Sequence, residues 1–295
     1  MSPLIDWFYR NRGGVPSYGT RVDDFDPGVV AKTLEVVSRV FGPGRYFDVS
    51  VQGWQNLPSG PALLVSNHSG GTSIPDAWGF VSAWYRQQGV QRPLHAMAHE
   101  IVLANPFVGE FFAQHGILRG RRDLGLAALK QHRRDVLVMP GGDLDTWRPY
   151  KDRYRVCFGG RTGYAWLALK AGVPIIPVAN AGAHETLMVL ARGRRIARAL
   201  HLKQLARTEI FPIHLSLPWG LAVGPLPHLP PPTRLQYKLG APVQLQLGQE
   251  PQAEPSRAAV QDLDRRVRAS MQGLLDELRD ERSAQPCARP PARAA

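Results

Sequence analysis

At 295 residues, 44% of them hydrophobic, the chain is long enough to bury a full core, and one domain with extensions is the simplest organisation. Its formal charge of +12 favours an anionic partner, whether nucleic acid, an anionic membrane surface or a phosphate-bearing substrate, without choosing among them. Cys157 and Cys287 have no metal-binding spacing and argue against a disulfide framework; residues 1–20 lack a secretory pattern, and no apolar run is long enough to span a bilayer.

Residues 1–45 read as an N-terminal arm and helix. Trp7, Phe8, Tyr9, Arg10 and Arg12 mix aromatic and basic groups, suited either to a headgroup layer or to packing on the domain. Val30, Leu34, Val37 and Phe41 recur near helical spacing and stop at Gly42-Pro43-Gly44. Strands are predicted over 46–51 and 62–66, then a helix over 74–88 carrying Trp78, Phe80, Val81, Trp84 and Tyr85. The alternation continues with a strand at 94–98, an interrupted helix over 100–115 in which Pro106 marks a start or kink, and a helix at 124–134. A strand at 136–139, a helix at 162–170 closed by Gly172 and a strand at 174–178 follow. This order predicts an α/β fold: a central, largely parallel sheet flanked by helices, with N- and C-terminal helical extensions.

Further on, residues 192–207 place Arg192, Arg194, Arg195, Arg198, Lys203 and Arg207 among apolar positions, a basic amphipathic helix for anionic lipid or a solvated face. Residues 210–230 are the most apolar long stretch but carry Pro212, Pro218, Pro225, Pro227 and Pro230, so they read as an irregular, interfacial segment. A last strand is predicted at 235–239 and a linker at 249–255. Val260, Leu263, Val267, Met271, Leu274 and Leu278 then mark an amphipathic helix over 258–282 that packs on the domain or dimerises. The expected divisions are 1–45, a domain at 46–248, the helix at 256–282 and a disordered tail at 283–295.

The central stretch is Leu63-Leu64-Val65-Ser66-Asn67-His68-Ser69-Gly70-Gly71-Thr72-Ser73-Ile74-Pro75-Asp76. It reads as a buried strand, a glycine turn and a helix start, so His68 is presented at a strand exit, where α/β folds place chemistry. A neutral imidazole accepts a proton near neutral pH, and a carboxylate on its other nitrogen sets the tautomer. A structural histidine fits the local residues as well. Asp76 has two readings: orienter of His68, or partner of an N-cap Ser73 in a capping box.

These residues resemble the first block of the glycerolipid acyltransferase superfamily, His followed after four residues by Asp. The resemblance implies that His68 is the general base and the Asp its orienter. Here Ser73 stands at the Asp position and Asp76 lies three residues later, so the pairing requires the extra residues to loop out at Gly70 and Gly71. Gly116 to Arg121 resembles the second block, which makes Arg121 the acceptor-binding arginine. Val138-Met139-Pro140-Gly141-Gly142 occupies the third block's place, and Val173-Pro174-Ile175-Ile176-Pro177-Val178 matches the fourth. The aromatic helix at 74–88 is core or, by the same resemblance, the wall of an acyl groove.

The third block departs from the lysophosphatidate-type Phe-Pro-Glu-Gly: its Glu is Gly141, followed by Gly142 and an Arg161-Thr162-Gly163-Tyr164-Ala165 helix start. That version resembles the diacylglycerol and monoacylglycerol acyltransferase branch and implies a neutral hydroxyl acceptor, although Arg148 is a candidate phosphate ligand. Gly141 and Gly142 offer amides for an anionic or carbonyl oxygen, or simply make a tight turn, and Arg161 positions substrate or pairs with a carboxylate. Asp143 and Asp145 lack an EF-hand continuation, and His184-Glu185 lacks the second His of a zinc helix; no metal and no cofactor are expected.

The implied activity is transfer of a fatty acyl group from acyl-CoA, or from acyl carrier protein, to a lipid hydroxyl acceptor, by a cytoplasmic protein peripheral to the inner face of the membrane. Rival readings are a lysophosphatidate-type acyltransferase, a serine esterase using Ser69, which lacks the Gly-x-Ser-x-Gly elbow, and a non-catalytic basic binding protein. No nucleic-acid-binding motif is recognisable, so no nucleic-acid partner is expected.

Overall fold

A computed structural model describes residues 9, 14, 16–105, 107–206, 208–245 and 254–284. Trp7, Phe8, Arg10, Arg12, Pro106, Arg207, Cys287, most of the 249–255 linker and nearly all of the 283–295 tail lie outside the described residues.

In chain order the strands are β1 (Phe41–Gly42), β2 (Phe47–Gln52), β3 (Leu63–Ser66), β4 (Leu94–Ala98), β5 (Ile117–Arg119), β6 (Asp135–Val138), β7 (Ile175–Ala181), β8 (Met188–Ala191), β9 (Ile213–Ser216), β10 (Gly220–Val223) and β11 (Thr233–Leu239). The helices are α1 (Pro27–Val37), α2 (Pro75–Gln88), α3 (Glu100–Leu103), α4 (Gly109–Gln114), α5 (Arg122–Leu126), α6 (Asp143–Thr146), α7 (Gly163–Ala171), α8 (Arg194–Ala199), α9 (Leu202–Leu205) and α10 (Arg257–Ala284). The main sheet runs β1-β2-β11-β7-β3-β6-β4-β5, with parallel neighbours throughout except at β11–β7. This is the α/β class expected from the strand–helix alternation.

The period of two along each strand divides the core. Leu63, Val65, Val136, Val138 and Ile175 point to one face, under α5, α7 and α10. Leu64, Leu137, Ile176 and Val178 point to the other, under α1 and α2, where Phe80 and Trp84 pack. The aromatics of α2 are therefore divided, with Phe80, Trp84 and Tyr85 in the core. Helix α10 packs on the domain, burying Val260, Leu263, Val267, Met271, Leu275 and Leu278, each worth about 1.5–3 kcal/mol. Leu275 takes the place expected for Leu274, because a straight helix of 3.6 residues per turn drifts off a strict three-four count. Tyr164 Oη donates to Asp264 (2.7 Å) and Lys238 Nζ to Glu277 (2.8 Å), tying α10 to α7 and β11.

Three expectations are corrected. The stretch at 210–230 is not irregular: β9 and β10 pair antiparallel and join β8 in a separate three-stranded sheet, its prolines confined to the strand ends and turns. The basic segment at 192–207 is not one helix but the short α8 and α9, broken where His201 adopts φ 50°. The helix expected over 124–134 begins at Arg122 and ends in a π-helical turn, Ala127–Gln131.

Of the N-terminal arm, Tyr9 is buried, with its hydroxyl donating to the Ala104 carbonyl. Arg119 donates to the carbonyls of Pro16 and Tyr18, strapping that segment to the sheet edge.

Candidate active site

Strands β7, β3 and β6 are neighbours, and their C-terminal ends converge on His68. Beyond β3 the backbone of Asn67 is bolted to β7. Asn67 Nδ2 donates to the Asn180 carbonyl (2.9 Å), the Asn180 N–H to Asn67 Oδ1 (2.8 Å), and Asn180 Nδ2 to the Asn67 carbonyl (2.6 Å).

After His68 the chain coils through Gly71–Ser73, and three residues have positive φ: Gly70 (95°), Gly71 (63°) and Ile74 (41°). A Cβ on Gly70 would lie 2.6 Å from Pro75 Cδ, and one on Gly71 2.7 Å from Leu187 Cδ2, so both glycines are dictated by conformation and by space. Ile74 is β-branched and costs of order 1–3 kcal/mol there. It stands between His68 and Asp76, at the point where the coil must become α2.

That coil closes the dyad. Asp76, in the first turn of α2, accepts the His68 Nδ1–H at 2.7 Å and the Ser69 N–H at 2.7 Å on the same carboxylate oxygen. The three additional residues loop out, and the two side chains meet. The alternative capping box does not form: Ile74 precedes the helix without a side-chain cap, and Ser73 Oγ donates to the His228 carbonyl (3.2 Å).

A second carboxylate anchors the histidine from the other side. Asp145 on α6 accepts the His68 backbone N–H at 2.7 Å and is ion-paired with Arg148, both fully buried. Arg148 also donates to the carbonyls of Arg153 and Arg155, so it lies inside the protein and is not a phosphate ligand.

His68 is 16% exposed in its side chain and Asp76 1%. Burial alone lowers the imidazole pKa; the Asp76 charge and hydrogen bond outweigh it, Asp145 adds to them and Arg148 opposes, and the net value lies above 6.5. Burial pushes the Asp145 carboxyl up against the pull of Arg148 and the His68 N–H. His184, buried nearby, is held well below 6.5 by burial and by Arg148, so it stays neutral. Asp76 holds a proton on Nδ1 and leaves the Nε2 lone pair of neutral His68 free to take a proton.

His68 borders a cavity of about 1200 Å³. One wall is Ile74 followed by the stripe Ala77, Trp78, Val81 and Tyr85 of α2, at helical spacing; Ala96 and Leu137 of the sheet continue it. Arg121 and Arg161 stand on the lining. Arg121 is 58% exposed and paired with Asp123 (2.5 Å), an exposed pair of little stabilising value, so the guanidinium is available to a ligand. Arg161 donates to the Gly141 carbonyl (2.7 Å) and pairs with Asp143 (2.8 Å), clamping the turn after β6.

Of the two third-block glycines, Gly142 lines the cavity with φ 48°, and its N–H is spent on the Met139 carbonyl (3.0 Å). Gly141 does not reach the cavity. Its Cβ position is occupied by Asp145 and the Cys157 carbonyl, so the residue is a packing glycine with no room for a glutamate. The Gly142 N–H is thus committed elsewhere, as are the N–H groups of His68 and Ser69. Ser69 is buried with its hydroxyl on Asn180 (3.2 Å), which removes it as a nucleophile. Asp143 and Asp145 pair with Arg161 and Arg148, the paired roles that a metal site would have to displace.

The profile of the acyltransferase family ("Acyltransferase") matches residues 48–181, the span that holds His68, Asp76, Arg121, Asp145 and Arg161. That span is an acyltransferase-type domain. The chain is similar to an uncharacterised protein of Mycobacterium tuberculosis, 27% identical over 74% of this chain and 58% of the relative. A Gallus gallus protein named "DGAT1/2-independent enzyme synthesizing storage lipids" is 29% identical over 59% of this chain and 50% of its own length. The chain therefore spans between half and about three fifths of the length of these relatives. Among solved structures, the 1-acyl-sn-glycerophosphate (LPA) acyltransferase PlsC of Thermotoga maritima aligns over 89% of this chain and 85% of that one, with TM-score 0.49 and 19% identity.

Asn180 was not singled out from the sequence, and Asp145 and Arg148 were weighed there as a metal ligand and a phosphate ligand, not as the pair that anchors His68. A signal existed for each: Asn180 is the one amide side chain in the run Ile175–Ala181, and Asp145 and Arg148 are an i, i+3 opposite-charge pair.

Proposed function

We propose that this chain is an O-acyltransferase that moves a fatty acyl group from a thioester, acyl-CoA or acyl carrier protein, to the hydroxyl of a glycerolipid or related lipid alcohol at a membrane surface. The observation that carries the reading is the His68–Asp76 dyad on the wall of a large cavity whose apolar stripe suits an acyl chain and whose arginines suit a phosphate-bearing donor. His68 Nε2 takes the acceptor hydroxyl proton as its oxygen attacks the thioester carbonyl; the tetrahedral intermediate collapses with loss of the thiolate, which recovers the proton from the imidazolium. Asp76 keeps the ring oriented and stabilises the imidazolium. Asp145, by holding the His68 N–H, keeps the histidine backbone in register with the cavity. Arg121 is an exposed cation on the cavity lining, suited to donor phosphates or developing negative charge.

The missing third-block glutamate, and the storage-lipid name carried by the chicken relative, support a neutral hydroxyl acceptor. A lysophosphatidate acceptor is the second reading, favoured by the exposed Arg121. The test is transfer from radiolabelled long-chain acyl-CoA to diacylglycerol, monoacylglycerol, lysophosphatidate and a long-chain alcohol, by wild type and His68→Ala in parallel. Labelled product from wild type alone is expected. Equal product from both proteins removes His68 as the base, and no product with any acceptor or with acyl carrier protein as donor overturns the reading.

A further inference from the structure

The three-stranded sheet is apolar on both faces. Pairing aligns Met188, Leu215 and Leu221 in one row across it, and these side chains are 39%, 42% and 65% exposed. The adjacent row, Val189, His214 and Ala222, is buried against Trp147, Leu187 and Ile210. Leu217 (57%), Trp219 (53%) and Leu229 (66%) extend the outer patch from the turns. An antiparallel sheet with one covered face ordinarily carries polar side chains on the other; none of these three strands carries a charged residue. An apolar patch of this extent marks an interaction surface.

Two neighbouring features identify what it meets. Helix α8 follows β8 directly and exposes Arg194, Arg195 and Arg198 beside the patch. The segment that joins α9 to β9 and the loop after β10 contribute Ala206, Thr208, Pro212 and Pro225 to the lining of the cavity that holds His68. The apolar face, the basic helix and one wall of the cavity thus belong to a single stretch of chain.

We propose that this face seats the protein on an anionic bilayer, with the leucines and Trp219 in the headgroup and acyl boundary and the three arginines of α8 against anionic headgroups. Charge complementarity selects the bilayer over a second copy of the chain, because the patch and its basic margin present no anionic counterpart of their own: Glu209, the nearby acid, is paired with Lys203 at 2.7 Å. A lipid acceptor then enters the cavity sideways from the bilayer. This inference rests on the acyltransferase reading for its purpose, but its geometry is independent of it.

The test is flotation with phosphatidylcholine vesicles, with and without phosphatidylglycerol, for wild type, Leu217→Glu/Leu221→Glu and Arg194→Glu/Arg195→Glu/Arg198→Glu. Wild type is expected to float with the anionic vesicles. The leucine variant should lose at least about tenfold in partitioning on both vesicle types, and the arginine variant about fivefold per arginine on anionic vesicles alone. All substituted side chains are exposed, so the thermal midpoint and circular dichroism should match wild type, and transfer to a short-chain, water-soluble alcohol should be unchanged. Flotation of both variants like wild type overturns the proposal, as does a wild-type dimer that Leu217→Glu/Leu221→Glu makes monomeric. Wild-type flotation without transfer to any acceptor would fail the acyltransferase reading and leave the docking face standing.

Discussion

The eight-stranded sheet is covered on both faces, Leu63 and Val65 under α7 and α10 and Leu64 under α2, whereas the three-stranded sheet is covered only where Val189, His214 and Ala222 point inward. Alternation operates in both, but in the first each face meets helices and in the second one face meets solvent. The difference separates two demands on the same molecule. The large sheet must be rigid, because it holds His68 between Asp76 and Asp145 with hydrogen bonds of 2.7 Å. The small sheet leaves Leu215 and Leu221 42% and 65% exposed, the face proposed above to meet lipid.

Substitutions at the junction of the two regions should give the largest effects. His68→Ala removes the proposed base and should lower transfer about 100- to 10,000-fold with the fold intact, checked by labelled product and circular dichroism. Asp76→Asn should be nearly as damaging, and it should also move the pH profile. His68 loses activity when protonated, and Asp76 holds its folded pKa above 6.5, so kcat/KM falls as pH drops through that raised value. Loss of the carboxylate charge should shift this acid limb to lower pH; an unmoved limb would mean that another group titrates. In stability the sign is opposite. The dyad's contribution is full below the unfolded value of 6.5 and is lost as pH rises through the folded one.

On the large sheet's helical cover, Leu263→Ala and Met271→Ala, both on α10 and fully buried, should each cost about 2–5 kcal/mol by urea unfolding. Buried His95 sharpens the same point through pH. Burial, with Arg134 beside it, lowers its pKa to about 4, so the folded state binds fewer protons than the unfolded one. Stability should therefore fall as pH drops from 6.5 towards 4, by up to about 3 kcal/mol, and His95→Gln should flatten that slope. Smallest of all, Leu221→Ala, 65% exposed on the small sheet, should change stability by no more than about 0.5 kcal/mol. A cost like that of Leu263→Ala would break the contrast between the two sheets.

Much of the large sheet was legible in the sequence because its signals are local. The strands at 62–66, 94–98, 136–139 and 174–178 are short apolar runs bounded by turn residues, and each was found to within a residue or two at its start; β7 runs three residues further, to Ala181. The C-terminal helix was legible from its period, and its packing on β7 and α7 was not. The small sheet was missed for a specific reason. Two of its strands, β8 and β10, alternate apolar with apolar and so lack the period-two contrast on which strand assignment depends; β9 shows that contrast over only four residues, and the prolines around it read as breaks. The basic segment failed at His201, whose left-handed backbone conformation is only weakly signalled by residue type: His is enriched there but far more often sits at negative φ.

What the sequence determined by itself was the presentation of His68: an apolar strand, two glycines and a helix start place a histidine at a strand exit whatever the rest of the chain does. Tertiary structure alone decided what that histidine touches. Asp76 had two local roles open to it, and the left-handed turn at Ile74 settled the matter by carrying it back to Nδ1. Asp145 and Asn180 lie 77 and 113 residues away in the chain, and they reach the first block only because β6 and β7 flank β3. Gly141 is a packing residue for the same reason, since the space it leaves is filled by side chains and backbone that no local pattern brings together. Hydrogen bonds and contact volumes are short-ranged in space and not in sequence, and a pairing between distant segments exists only once the sheet has brought their ends to one edge.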